Sequence, residues 1–395
     1  MPSPAIDFVH TGPGTLAGRY LRMFWQPVYR SQDLLRGRAV PIRIMSEDFT
    51  LYRGESGTPY LPAFRCAHRG TQLSTGWVEG DGIRCRYHGW KYDGSGQCVE
   101  QPGENESSPT KVTIKSYPAR DYLGLIFAYL GEGEPPPFRR FPDFERPGVL
   151  INGPAESWPC NYFNRLDNAC DSAHVAYTHR AAALRAGARA SLGSPQIFSE
   201  ETEYGIRTAT RLPGELRYLH FYMPDANHIR ATLGRGNVEK ASAPVWSDRL
   251  FFRVPVDDSN CVSFGVILVH VTGEAARAYA ERARSEDGER SLFLNQLGEA
   301  ILKGQKRIED LESDATIWDL FQVEDYVVQV GQSPVAERSQ EHLGRMDNGV
   351  ILLRRIWERE LRNLAEGRPV KPWATPEGVA DETAMTQQIP SSAAP

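Results

Sequence analysis

The first part of the chain is set in short apolar runs. Thr50-Leu51-Tyr52-Arg53 and Leu125-Ile126-Phe127-Ala128-Tyr129 stand among Gly, Asp and Pro turns between Pro41 and Leu130. Branched and aromatic residues interrupted in this way predict an all-β region. The proline-rich stretch GEGEPPPFRRFPDFERPG, Gly131 to Gly148, breaks any regular element. Beyond it the pattern predicts a helix around Asn161 to Tyr177 and strands at Arg217 to Met223, Leu250 to Val256 and Val262 to Val271. Helical stretches follow from Glu274 to Ile308 and from Gly344 to Glu366.

This order predicts an α+β protein: a small all-β domain, then a larger domain in which an antiparallel sheet is covered by helices. The expected boundaries are an N-terminal segment 1–40 packing on the larger domain, the all-β domain at 41–135, a linker at 136–155 and the larger domain at 156–375. A small, polar tail at 376–395 is expected to be disordered. No internal repeat of fixed period is visible.

Composition narrows the class. A net charge of −5 and a pI near 6.0 argue against a surface built to grip nucleic acid. The opening MPSPAIDFVHTGPG has no basic segment followed by an apolar one, and no run of about 18 apolar residues occurs. A soluble, cytoplasmic protein with no membrane partner is expected. Cys98, Cys160, Cys170 and Cys261 are scattered singly, unlike a secreted disulfide framework. A metal or cluster role for the other two cysteines outranks a disulfide.

Those two stand in a pattern. Cys66-x-His68, sixteen intervening residues, then Cys85-x2-His88 places one thiolate and one imidazole on each of two loops. Structural zinc, a [2Fe–2S] centre and coincidence compete as explanations. Zinc fingers usually pair Cys with Cys and His with His. The mixed loops instead suit a Rieske centre, in which one iron takes both thiolates and the other both imidazoles. The flanking His68-Arg69-Gly70 and His88-Gly89-Trp90-Lys91-Tyr92 also resemble Rieske loops. Respiratory Rieske proteins carry extra loop cysteines that form a disulfide; Thr71 and Tyr87 stand there in this chain, and the loops resemble those of ring-hydroxylating oxygenases.

A second motif is similar to the mononuclear iron site of the same oxygenases. It is Asp167-x3-Asp171-x2-His174-x4-His179 within NYFNRLDNACDSAHVAYTHR. Asp167, Asp171 and His174 fall on one stripe of a continuous helix. His174 and His179 do not, so shared metal binding requires the helix to end or bulge near Ala176 and Tyr177. A facial triad needs one carboxylate beside two histidines. Glu309, Asp310, Glu312 and Asp314 form a charge run that reads as a solvated helix face. Asp325, followed by Tyr326-Val327-Val328 in a segment resembling the distal-ligand region of phthalate-dioxygenase-type enzymes, is the expected ligand, with Glu324 and Asp319 as lesser candidates. The opening TGPGTLAGRYLRMFWQPV also resembles the start of such large subunits.

The resemblance spans nearly the whole chain, and it implies a Rieske non-haem iron oxygenase. The 41–135 domain would hold the [2Fe–2S] cluster, and 156–375 would be the catalytic domain with one Fe(2+). It implies a homotrimer in which Asp171 links His174 to His88 of the neighbouring subunit, so that electrons cross between chains. Asp167 would contact an iron-bound water or cap the helix. It implies electrons from a separate flavin and iron–sulfur reductase, with or without a ferredoxin, and an aromatic substrate consumed with O2. Hydroxylation or O-demethylation of a methoxylated or carboxylated, lignin-type aromatic is the leading expectation; cis-dihydroxylation, and electron transfer without catalysis, are the alternatives. His220, Tyr222 and Phe264 are the expected pocket residues, and Arg180, Arg185, Arg217 and Arg230 the candidates for a substrate carboxylate.

Overall fold

A computed structural model describes residues 6–104, 111–185, 195–212, 215–233, 245–285, 289–312, 314, 319–375 and 378–379. The chain divides into two compact units, one of residues 10–139 with 254–257, the other of the remainder.

The smaller unit is built almost wholly from antiparallel strands. Trp25–Arg30 and Ala119–Tyr122 flank Leu125–Tyr129 in one sheet. Arg38–Ile44, Glu47–Arg53, Pro59–Pro62 and Ser116–Tyr117 form a second, and Trp77–Glu79, Gly82–Arg84, Lys91–Tyr92 and Cys98–Glu100 a third. Tyr52, Leu73, Ile83, Tyr92 and Cys98 make its core, and Cys66 and Cys85 are part of it.

The boundaries drawn from the sequence need correction here. Residues 10–40 belong to the smaller unit, not to the larger domain, because Trp25–Arg30 supplies an edge strand to Leu125–Tyr129. Within the larger unit, the N-terminal segment contributes only its first residues: Phe8 stacks on Phe163 at 4.1 Å. The expected linker is also partly structured. Pro142–Phe144 is a 3-10 turn and Val149–Ile151 pairs with Cys261–Val269, its three branched apolar residues suiting a strand despite the prolines before them. Apart from Gly378 and Val379, the tail that was expected to be disordered lies outside the described residues.

The larger unit holds an eight-stranded sheet. Its order is Val149–Ile151, Cys261–Val269, Val245–Pro255, Ala226–Leu233, Glu215–Tyr222, Gly205–Leu212, Gln196–Glu201, with Glu156–Trp158 also paired to Cys261–Val269. Within the predicted 274–308 helix, Gly273–Ser285 and Glu289–Leu302 are helical, residues 286–288 lie outside the described residues, and a turn after Leu302 separates off Ile308–Glu312. Helices Leu320–Val330 and Asn348–Ala365 follow. The last packs its apolar stripe, including Leu353, Ile356 and Trp357, inward, where Trp357 meets Tyr162 and Phe163.

The helix that carries the second motif runs only from Tyr162 to Cys170, capped by Asn161, whose side chain accepts the Phe163 amide. Asp171 ends it in an extended conformation, φ −92° and ψ 96°. A short helix, His174–Tyr177, and a further one, Arg180–Arg185, complete the segment. The expected continuous stripe of Asp167, Asp171 and His174 therefore does not exist. The expected stop at Tyr177 does.

Candidate metal centres and active site

The two cluster loops have one construction. In each, the cysteine amide donates to the carbonyl five residues on, Cys66 to Thr71 and Cys85 to Trp90, both at 2.8 Å. The glycine amide returns to the cysteine carbonyl, Gly70 to Cys66 and Gly89 to Cys85. The preceding arginine closes the loop on the glycine carbonyl, Arg65 to Gly70 and Arg84 to Gly89. Gly70 and Gly89 have φ of +74° and +75°, where a side chain would be strained. This shared geometry is the signal that sequence reading passed over: Arg-Cys and Gly recur nineteen positions apart.

The loops bury their thiols and present their imidazoles. Cys66 and Cys85 are each 2% exposed, while His68 and His88 are exposed with ring centroids 4.6 Å apart. Trp90 stacks on His68 at 4.6 Å and Tyr92 hydroxyl is hydrogen-bonded to Cys66 Sγ at 3.2 Å. Burial pushes the Cys85 thiol up, and partial desolvation by its neighbours, with the charges of His68 and Arg69, pulls the exposed His88 down, which favours the neutral imidazole. Three or more ligand atoms of this quartet do not meet at one point, as a single zinc ion would need. Two buried thiols beside two outward imidazoles fit a two-iron cluster.

Among the described residues one set of donors does converge: His174, His179 and Asp325, whose ligand atoms all lie within 4.8 Å of one another. Asp325 Oδ1 is 3.4 Å from His179 Nε2 and 3.9 Å from His174 Nε2, and it is buried without a hydrogen-bond partner. An orphaned buried carboxylate oxygen facing two imidazole nitrogens is the donor set of a facial triad. Burial opposes charge on His179, but the Asp325 and Glu324 carboxylates outweigh it and push its pKa up to about 9. Bound there, iron supplies the O2 activation.

The neighbouring acids have other employment. Glu324 takes the far side of the ring: His179 Nδ1–H donates to its Oε2 at 3.0 Å and the Ala182 amide to its Oε1 at 3.3 Å. Asp319 caps the helix Leu320–Val330, accepting the Gln322 amide. The Asp167 carboxylate caps no helix among the described residues. Arg354 Nη2 at 2.7 Å and Arg338 Nη2 at 3.0 Å bind it instead. Asp171 Oδ1 accepts the amides of Ala173 at 2.8 Å and His174 at 3.3 Å, while its backbone oxygen receives the His174 Nδ1 proton. Asp171 and His174 line an open cleft of about 560 Å³ together with His342 and Glu341.

The expected pocket residues lie on the face of the sheet turned away from the helices. Gly349 of the last helix sits against Ser199, whose hydroxyl bonds Thr208, and Thr208 pairs with Leu219. Partners across a ladder share a face and successive residues alternate, so Leu219 faces the helices and His220 and Tyr222 face away. Arg165 of the motif helix bonds Ser263, so Phe264 faces away too. On that far face Tyr204 binds His220, whose burial pulls its pKa down to about 3. Tyr222 hydroxyl binds His228 and His228 binds Asp248, which also receives His270 and Arg230. Of the arginine candidates, Arg230 is thus committed to Asp248 and Arg185 to the carbonyls of Leu311 and Glu312. Arg180 and Arg217 are exposed.

A cluster-type pair of loops in one unit and a facial triad in the other define an iron protein with two centres. A family model for the Rieske [2Fe-2S] domain matches residues 24–118. The chain is 30% identical over 399 residues to a 5,5'-dehydrodivanillate O-demethylase oxygenase subunit of Sphingobium sp., covering 96% of this chain and 83% of the relative. It is also 30% identical to the tert-butanol monooxygenase / tert-amyl alcohol desaturase oxygenase subunit of Aquincola tertiaricarbonis, covering 93% and 78%. The solved structure of NdmA from Pseudomonas putida CBB5 with caffeine shares the fold, with a TM-score of 0.64 at 20% identity over 90% of this chain and 94% of that one.

The chain belongs to the Rieske non-haem iron oxygenases. It is an O2-incorporating oxidoreductase whose cofactors are a [2Fe–2S] cluster and a mononuclear iron. Among the described residues, no helix is long and apolar enough to cross a membrane.

Proposed function

We propose that this chain is the oxygenase component of a system that removes a methyl group from a methoxylated aromatic by oxidising its C–H bond. The observation that carries the reading is the convergence of His174, His179 and Asp325. Support for the aromatic ether comes from the 30% identity, over nearly the full chain, to the dehydrodivanillate O-demethylase subunit.

In this reading His174, His179 and Asp325 hold the iron, and Cys66, His68, Cys85 and His88 hold the cluster. A separate NAD(P)H-dependent reductase supplies the electrons. The chain works in the cytoplasm as a homotrimer, with the cleft around Asp171 and His174 receiving the neighbour's His88. Asp171 joins the two imidazoles there, its backbone oxygen orienting the His174 ring and its carboxylate offered to the neighbour's His88. The second reading is cis-dihydroxylation, which the same donor set can serve.

A single-turnover reaction separates the two. Chemically reduced, iron-loaded protein is mixed with 18O2 and a series of methoxylated and plain aromatics. Formaldehyde with a new phenol supports O-demethylation. A product carrying two labelled oxygens, without formaldehyde, replaces it by dihydroxylation.

A further inference from the structure

The helix-covered side of the sheet buries two guanidinium groups that nothing nearby neutralises at contact distance. Arg165, on Tyr162–Cys170, is 4% exposed. Its Nη2 donates to Ser263 Oγ at 3.3 Å and its Cζ lies 3.4 Å from the Trp158 ring centre, but Nε and Nη1 are buried without a partner. Arg253, on Val245–Pro255, packs 5.0 Å over the Phe251 ring, and its Nε and Nη1 are likewise buried and unpartnered. No carboxylate among the described residues comes within ion-pair distance of either. Arg230, Arg338 and Arg354 in the same unit are each held by a carboxylate.

Arg165 lies over Trp158, whose ring packs 5.1 Å from that of Tyr326, the residue next to Asp325, and Arg253 faces the same helix-covered side of the sheet as Ser263, the Arg165 partner. Burial drives Arg253 down to about 9, Arg165 adds to the effect, and Glu156 and Asp325 oppose it. An unpaired buried charge costs several kcal/mol, and a planar guanidinium edge matches a carboxylate. A ligand anion would relieve this cost; a neutral ligand would leave it in place.

We propose that Arg165 and Arg253 form the anion-binding wall of the substrate pocket, and that the substrate carries a carboxylate seated on them beside His174, His179 and Asp325. The assignment rests on the oxygenase reading above. It makes the two arginines specificity-determining residues, selecting an aromatic acid over its neutral analogue.

The test is binding, measured without O2 or reductant on the protein with both metal centres loaded. Equilibrium dialysis and ligand-induced melting shifts are read for a panel of one-ring and two-ring methoxybenzoates against the matching carboxamides. The expected result is that at least one acid binds the wild type ~10- to 100-fold tighter than its amide, as for a site whose polar groups a wrong ligand leaves unpaired. Arg253→Met and Arg165→Met should erase that preference while leaving amide binding unchanged. A panel in which no acid outbinds its amide overturns the proposal, and this wild-type comparison decides even if a variant does not fold. Acid-selective binding with no formaldehyde on turnover would sink the demethylation reading and keep the anion wall. Equal formaldehyde from acids and amides would do the reverse.

Discussion

His179 Nδ1–H donates to Glu324 Oε2 at 3.0 Å while its Nε2 faces Asp325 Oδ1 at 3.4 Å. Two consecutive acids on one helix thus serve opposite edges of the same ring. A ligating imidazole is oriented and made more basic by a carboxylate on its other nitrogen. Replacing Glu324 with Gln keeps an acceptor but removes the charge, so iron affinity should fall ~10- to 100-fold while the cluster spectrum stays unchanged. Competition with a chelator, read by iron content, checks this. Undiminished affinity would mean that Glu324 only anchors the Ala182 amide.

The same site carries a pH dependence. In the metal-free protein the His179 pKa is raised to about 9, so at neutral pH iron must displace a proton to bind. Apparent iron affinity should rise with pH and level off above about 9. An affinity flat between pH 6 and pH 9 would contradict the raised value.

Asp171 offers a clean charge test. Its Oδ1 caps the helix His174–Tyr177 through the amides of Ala173 and His174, and an Asn oxygen can accept both bonds. Asp171→Asn should therefore keep the fold and both metals, yet reduce turnover on the order of 100-fold, as loss of a metal-linked carboxylate does. Full turnover with both centres loaded would rule out the intersubunit bridge.

Asp167 belongs to the fold. Its neutralisation leaves Arg338 without a carboxylate and Arg354 with Glu341 alone, their side chains being 13% and 16% exposed. Breaking a buried pair by removing one partner costs about 3–5 kcal/mol, so Asp167→Asn should lower the melting temperature markedly. Turnover per loaded iron at a permissive temperature should stay near wild type. A large loss of turnover without loss of stability would return Asp167 to the chemistry.

Asp248 governs acid stability. Burial alone would raise its pKa, but His228, His270 and Arg230 together hold it well below the usual carboxylate range. A depressed folded value contributes stability that is complete above the unfolded pKa of about 3.9 and is lost as pH falls below it. Asp248→Asn should thus be less stable at neutral pH and lose less stability between pH 5 and pH 3. Parallel acid-unfolding curves for variant and wild type would remove Asp248 as the source.

The candidate metal donors can be picked out in the sequence because their signals are local. Cys66 and His68, or Cys85 and His88, sit within one tight loop, and His174 and His179 within one broken helix. Asp325 needed a resemblance, since nothing local says which of two adjacent acids turns to the metal. What failed was parity and distance. His220 and Leu219 differ by one residue, and that step exchanges the two faces of a sheet. Asp167 meets Arg338 and Arg354 from 171 and 187 positions away, and Arg165 and Arg253 are brought together only by packing of helix on strand. A strand assignment could have warned that alternate residues face alternate sides, but not which side the iron occupies.

The twin loops around Cys66 and Cys85 have a consequence for assembly. Each closes on itself through its own arginine, cysteine and glycine, and the Tyr92 hydroxyl, two residues past Trp90, ties the first loop to the second through Cys66 Sγ and the Ala67 amide. Each loop would give one ligand to each iron, so the cluster would act as a rivet between two parts already in shape. Its insertion is then closer to docking a ligand into a ready mould than to folding a domain, and a protein emptied of its cluster should keep the mould and accept a new one.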